Sequence, residues 1–344
     1  MTPKRRIIPV FIPNYGCEHD CVFCDQRRIS GAVSPVTGED VDSVIRDFKN
    51  RRLMIEDDAD KAQPFELAFY GGSFTALPAS RQNELLDAAQ PFIGLDSRNS
   101  IRISTRPDCI DKQDIGRLRN YGVATIEIGA QSMCDDVLIA SGRGHTSADV
   151  ERCALEIGNS GLSLILQMMT GLPCDTAEKS VYTAKRLAQL RPDGVRIYPT
   201  VVVRGTRLHG MWERGEYREH TLEDAIGLCA SLYVIFQETG IPVIRLGLNP
   251  NETLSSGDAV AGAYHPALGE LVYSRLFYIK ADAMLRGIKP GSHVRIAVAR
   301  GRSSQMIGQR RQNVCNLTRN HALKSLKIVE SDMASDDFMI EICR

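Results

Sequence analysis

Short apolar runs alternate with amphipathic stretches through the first two-thirds of the chain. Strand-like runs rich in β-branched residues lie at 7–13, 65–70, 100–105, 124–129, 162–169 and 194–198. Helical periodicity fills the gaps at 79–89, 111–121, 147–160 and 176–190. Strand and crossover helix in alternation predict a parallel sheet. Six such units predict a partial or complete parallel β/α (TIM-like) barrel, with its chemistry at the C-terminal ends of the strands. After residue 204 the pattern changes. A helix is expected at 221–238, a strand at 241–248, a Gly-, Ser- and Asn-rich loop at 249–266, a strand at 294–299, a helix at 303–317 and a strand at 326–330. The expected division is therefore a core at 1–204 and a small C-terminal α/β extension at 205–344.

Composition adds little to this picture until charge and cysteine are considered. At 344 residues, 43% hydrophobic and 24% charged, the chain can bury a sizeable core and falls among ordinary globular proteins. Its basic start is followed by an apolar run broken by Pro9 and Pro13, which is not the pattern of a signal peptide, and no stretch reaches membrane-spanning length. The formal net charge is zero, but residues 280–327 carry eleven Lys or Arg against Asp282 alone, a net of +10. That asymmetry suggests a surface for a polyanion such as RNA; a solvated face balanced by acidic neighbours would read the same way.

The ten cysteines do not look like a secreted disulfide framework. Three stand close together as C-x3-C-x2-C: Cys17, Cys21 and Cys24. Soft thiolates in a triplet suit zinc or an iron–sulfur cluster. A closed zinc site needs a fourth ligand, for which His19 is within reach and Cys109 is too distant in sequence. With three ligands, a [4Fe–4S] cluster keeps one iron open for a small molecule. The other seven cysteines are isolated and are expected to be small core residues.

This spacing, with Phe23 before Cys24, resembles the signature of the radical SAM superfamily. The resemblance implies that the open iron is chelated by the amino and carboxylate groups of S-adenosylmethionine (SAM), and that reductive cleavage yields a 5′-deoxyadenosyl radical. It also gives the strand-end motifs a meaning. Gly71 and Gly72 end the second strand, where backbone carbonyls would accept from the SAM ammonium. Arg106 or Arg143 would pair with its carboxylate. Glu127 would accept from the ribose hydroxyls with Gln131 as a second contact, unless it forms a buried salt bridge with one of those arginines. Met169 and Tyr198 would contact the adenine. His145 reads as a helix-start residue beside Thr146, a candidate N-cap.

Taken in order, the cysteine loop, residues 71–76, 104–108, 131–138, 143–146, 171–176 and 197–208 with Trp212 resemble the radical SAM part of the elongator catalytic subunit family. Full-length members also carry an acetyltransferase domain and modify the wobble uridine of tRNA. No acetyl-CoA motif is evident here, so this chain reads as a shorter form with a radical SAM C-terminal extension. Likeness to the oxygen-independent coproporphyrinogen oxidases is more distant, and the lack of a second cysteine cluster disfavours methylthiolation. The expected function is modification of tRNA or other RNA in the cytoplasm, away from membranes, with a flavodoxin or ferredoxin as reductase and RNA held through the basic 280–327 segment. The alternatives are an oxidoreductase of a small metabolite or tetrapyrrole, and a non-catalytic metal- or cluster-containing RNA-binding module. In the extension, Tyr264 and His265 are candidate donors of a hydrogen atom or proton, although His265-Pro266 could equally begin a helix.

Overall fold

The computed structural model describes residues 6–12, 21–25, 35–53, 64–94, 96, 98–250, 254–333 and 338–343. Cys17 and His19 lie outside them. Two compact units emerge, Met1–Thr221 with Ile235–Tyr264, and Leu222–Val234 with His265–Arg344.

The first unit is built on seven parallel strands: β1 (Arg6–Ile12), β2 (Phe65–Gly71), β3 (Ser100–Thr105), β4 (Val123–Gln131), β5 (Ser163–Thr170), β6 (Gly194–Pro199) and β8 (Val243–Leu246). They pair in the order β1-β2-β3-β4-β5-β6-β8, a curled half-barrel with β1 and β8 at its edges. Strands of a parallel sheet are covered on both faces, which is why they read as continuous apolar runs. Leu67, Ile101, Ile103, Ile126, Ile128, Leu166 and Ile197 are all fully buried. A short antiparallel pair, β7 (Val201–Val203) with β9 (Ala259–Gly262), completes the strands of this unit.

Its helices are α1 (Gly38–Leu53), α2 (Ala79–Ile93), α3 (Lys112–Asn120), α4 (Asp135–Ala140), α5 (Ser147–Asn159), α6 (Ala177–Gln189) and α7 (Arg207–Glu213). Their starts follow from local chemistry. Asp111 caps α3, Thr176 caps α6, and Thr146 caps α5 as its sequence suggested, with Asp149 completing a reciprocal capping box.

The helix α8 (Leu222–Glu238) has residues in both units. The second unit continues with α9 (Leu268–Leu285), β10 (His293–Ala299), α10 (Ser303–Ile307), α11 (Gln312–Asn320), β11 (Ser325–Ser331) and β12 (Phe338–Cys343). Its sheet has the order β11-β10-β12, with β10 parallel to β11 and antiparallel to β12. Val294, Ile296 and Val298 alternate along β10 and pack into a core with Phe277, Met306, Leu317 and Phe338.

Three expectations need adjustment. The helix expected over 303–317 is two helices, because Gly308 (φ 74°) begins a tight turn in which Arg310 and Arg311 also take left-handed conformations. The expected loop at 249–266 contains β9. The first unit runs past residue 204, since β8 and β9 hydrogen-bond to strands within it. Among the described residues, no helix is long and apolar enough to cross a membrane.

Candidate active site

The C-terminal ends of the strands surround a cavity of about 390 Å³. Its wall brings together Cys21, Cys24, Gly71, Gly72, Arg106, Glu127, Gln131, Arg143, Met169 and Tyr198. Tyr264 and His265 do not line it. The Tyr264 hydroxyl lies 2.8 Å from Ser255 Oγ, and His265 Nδ1 accepts from the Ala267 N–H at 3.1 Å, next to the start of α9. The half of the His265 reading that concerned a helix start is therefore the one its contacts support.

The cysteine turn is fastened from two sides. Cys24 N–H donates to Cys21 O at 3.1 Å, closing the turn. Val22 N–H donates to Ser141 O at 3.1 Å, and Leu208 N–H donates to Val22 O at 2.7 Å. Phe23 packs against Val137, Met169 and Leu172, which explains an aromatic at this position. Arg143 sits against the turn: its Nη1 donates to Cys21 Sγ at 3.2 Å and its Nη2 to Gly129 O at 2.8 Å.

At the end of β2, Gly71 takes φ 107°, and a Cβ there would lie 2.6 Å from Ile12 O. Only glycine permits that approach, and Gly72 N–H then donates to the same oxygen at 2.7 Å. Ser73 and Thr75 both meet Thr105 Oγ1, and the Arg106 N–H donates to Ser73 Oγ, tying the ends of β2 and β3 together. Arg106 is held by a bidentate pair with Asp108, at 3.0 and 2.9 Å, and donates to Arg143 O. Burial opposes the Asp108 charge, yet the Arg106 partner holds its carboxyl below the usual range.

Glu127 does form a buried salt bridge, but not with Arg106 or Arg143. Its Oε1 accepts from Arg196 Nη2 at 2.7 Å, from Arg102 Nη1 at 2.5 Å and from Tyr70 at 3.3 Å. Arg102 also pairs with Glu66, and Arg196 donates to the hydroxyls of Tyr198 and Tyr70 at 3.1 and 2.9 Å. Burial, with Glu127 beside it, pushes the Tyr70 hydroxyl up to about 12, so it remains a donor. Gln131 adopts φ 64° at a register shift between β4 and β5, and its Oε1 accepts from Gln167 at 3.0 Å. A non-glycine residue held in that region at a cavity wall marks a position shaped for something other than stability.

Arg102, Arg196, Tyr70 and Gln167 were not singled out from the sequence. The signal was present: Ile101-Arg102-Ile103 and Val195-Arg196-Ile197 each place a guanidinium inside an apolar run. In a barrel strand such a residue points either into the lumen or outward beneath a helix, and periodicity alone does not choose. The remaining cysteines divide. Burial pushes Cys153 and Cys229 up to about 12, making them inert core thiols, whereas Cys174 and Cys315 are exposed rather than core residues.

The cavity suits a thiolate-ligated cluster with a polar, zwitterionic ligand. Two soft sulfurs and a cationic Arg143 meet at one wall. Among the described residues, no acceptor reaches Nη1 of Arg106, Nε of Arg143 or Nε of Arg196, all buried. Buried donors of this kind ordinarily have partners.

Comparison with known proteins agrees with this geometry. Residues 11–187 match the model of the radical SAM superfamily, and residues 192–277 match that of the radical SAM C-terminal domain. An uncharacterized protein of Methanocaldococcus jannaschii is 31% identical over 62% of this chain and 67% of its own length. Elongator complex protein 3 of mouse is 28% identical over 61% of this chain and 41% of its own. The tRNA uridine(34) acetyltransferase of M. jannaschii is 30% identical over 50% of this chain and 31% of its own. The chain thus spans less than half the length of these last two relatives. Among solved structures, the archaeal Elp3 of Methanocaldococcus infernus, lacking its N-terminus, shares the fold with a TM-score of 0.61 at 22% identity, covering 86% of this chain and 71% of that one.

Proposed function

Given that this chain belongs to the radical SAM superfamily of enzymes, we propose that it cleaves SAM reductively at a [4Fe–4S] cluster held by Cys17, Cys21 and Cys24 and directs the resulting hydrogen-atom abstraction at tRNA or another RNA. One observation supports the SAM reading above all: Cys21 and Cys24 share one cavity with all eight residues expected to contact SAM. When bound, the cluster supplies the electron that breaks the sulfonium bond of SAM.

The residues of this chain bind, orient and shield. The close approach of Gly71 to Ile12 leaves backbone at the wall, where carbonyls can accept an ammonium group. The buried, unpartnered N–H groups of Arg106 and Arg143 suit a carboxylate. Glu127, fixed by two guanidinium groups, offers carboxylate oxygen to ribose hydroxyls, with Gln131 beside it. Met169 and Tyr198 offer apolar surface to an adenine. RNA as the substrate is supported by the names of the relatives and by the basic 280–327 segment. A flavodoxin or ferredoxin as electron donor, and a reducing cytoplasm, belong to the same reading.

The test is anaerobic reconstitution with dithionite and SAM, quantifying 5′-deoxyadenosine with and without bulk tRNA, beside Cys21→Ala. Release by the wild type, lost in the variant and stimulated by tRNA, is the expected result. Release indifferent to tRNA would turn the assignment towards a small metabolite. No release from a protein with a verified cluster and bound SAM would leave a non-catalytic binding module.

A further inference from the structure

We propose that the unit running from β10 through α10 and α11 to β11 is a clamp for the phosphate backbone of single-stranded nucleic acid, with Arg310 and Arg311 at its tip. The inference rests on the RNA reading above only in preferring RNA to DNA. The unit is a strand–helix–turn–helix–strand. Its two strands run parallel in unbroken register from His293↔Ser325 to Ala299↔Ser331, and its helices are separated by only Gly308-Gln309-Arg310-Arg311.

This turn is built rigidly. The buried Asn313 side chain donates to Ser274 O at 3.0 Å, to Ser274 Oγ at 2.9 Å and to Gln305 O at 3.2 Å, fixing the start of α11 against α9 and α10. Gly308 at φ 74° is required there, since a Cβ would lie 2.9 Å from Asn313 Cγ. The next residues do not need to be arginine for the fold. Arg310 (φ 49°, ψ 30°) and Arg311 (φ 64°, ψ 20°) take left-handed conformations that glycine or asparagine adopt more easily. Both are exposed, and among the described residues neither side chain makes a hydrogen bond or an ion pair, although the Arg311 N–H donates to Gly308 O at 3.1 Å. By contrast, Arg295 pairs with Glu341, Arg300 with Asp332, and Arg302 reaches Gln305 and the Tyr273 ring. The turn therefore carries two adjacent guanidinium groups that the protein itself does not use.

Charge and composition identify the ligand. Residues 293–331 hold eight Lys or Arg against Glu330, a net of +7, so the partner is a polyanion. Gln309, Gln312 and Asn316 flank the arginines and can exchange hydrogen bonds with sugar and base edges. No Phe, Tyr or Trp occurs in 293–331, so bases are not held by stacking and the backbone must be the handle. The plan is similar to that of KH modules, in which a Gly-x-x-Gly turn between two helices grips the backbone of four nucleotides. Here Arg311, itself in a left-handed conformation, stands where the second glycine would.

The full chain is titrated into a labelled single-stranded RNA, a matched duplex RNA, a single-stranded DNA and vesicles containing phosphatidylserine. The variants are Arg310→Glu/Arg311→Glu, a charge-matched control Lys280→Glu/Lys289→Glu, and Arg310→Gly/Arg311→Gly, which keeps the turn backbone and removes only the cations. The wild type is expected to prefer single-stranded RNA. Both turn variants should lose at least about tenfold in affinity, with the log–log salt slope falling by about 1.4, or roughly 0.7 for each lost phosphate contact on a single strand. The control should lose less than threefold. Equal losses in the turn variants and the control would overturn the clamp while leaving the RNA substrate standing. Tighter binding to the vesicles than to RNA would overturn it in favour of a membrane surface. Binding of single-stranded DNA but not RNA would remove the RNA substrate and leave the clamp, whereas binding of neither would remove the clamp.

Discussion

Arg143 links two chemistries that the sequence kept apart: it reaches Cys21 on one side and the β4 carbonyl of Gly129 on the other. Its neighbour His145 bears the consequence. That imidazole is buried, with Nε2 3.2 Å from Ala130 O, and burial together with the Arg143 charge pushes its pKa down to about 4. The unfolded chain titrates near 6.5, so between these values the unfolded state binds the extra proton. Stability is therefore full above about pH 6.5 and falls as pH drops towards 4, by about 3 kcal/mol from this one group. Urea unfolding between pH 7 and 4.5 should show that acid limb in the wild type and a flatter one in His145→Asn; parallel slopes would refute it. The glycines of the candidate site were legible because they end β2, and Cys21 and Cys24 because of their spacing. Glu127 was legible as an acid at the same level. Its partners were not, because Arg102 and Arg196 lie within runs whose apolar character dominates any reading by periodicity.

Among the elements, the junction of β1 and β2 is the most constrained. Ile12 pairs with Gly71, and both Gly71 and Gly72 crowd the Ile12 carbonyl. Gly71→Ala places a methyl group against a backbone oxygen at a positive φ, and neither can yield without parting the strands. A loss of at least about 2 kcal/mol is expected in denaturant unfolding, with reduced iron content after reconstitution. The six strand–helix units were readable because a parallel sheet imposes runs of fixed length. The extension was less so: 303–317 has one helical period, and only the backbone at Gly308–Arg311 divides it. α1 and β12 were not foreseen. α1 is polar over most of its length, and β12 is a short strand that depends on pairing with β10 rather than on its own pattern.

For the whole molecule, a formal charge of zero conceals +10 over 280–327 and −10 elsewhere. Near pH 7 such a molecule lacks the net repulsion that keeps copies apart, while its oppositely charged regions attract. Light scattering should show self-association at low ionic strength that disappears by about 0.2 M salt, where the Debye length has fallen to below about 8 Å. Association unchanged by salt would point to apolar contact instead. The fastening of Val22 to Ser141 and Leu208 also has a temporal consequence. During synthesis the cysteine turn leaves the ribosome long before Leu208 is made. Metal met by the nascent chain finds loose thiols rather than a site. On the proposed function, a cluster would then meet a fastened turn only after most of the half-barrel has been translated, so its insertion is expected late in the making of each copy.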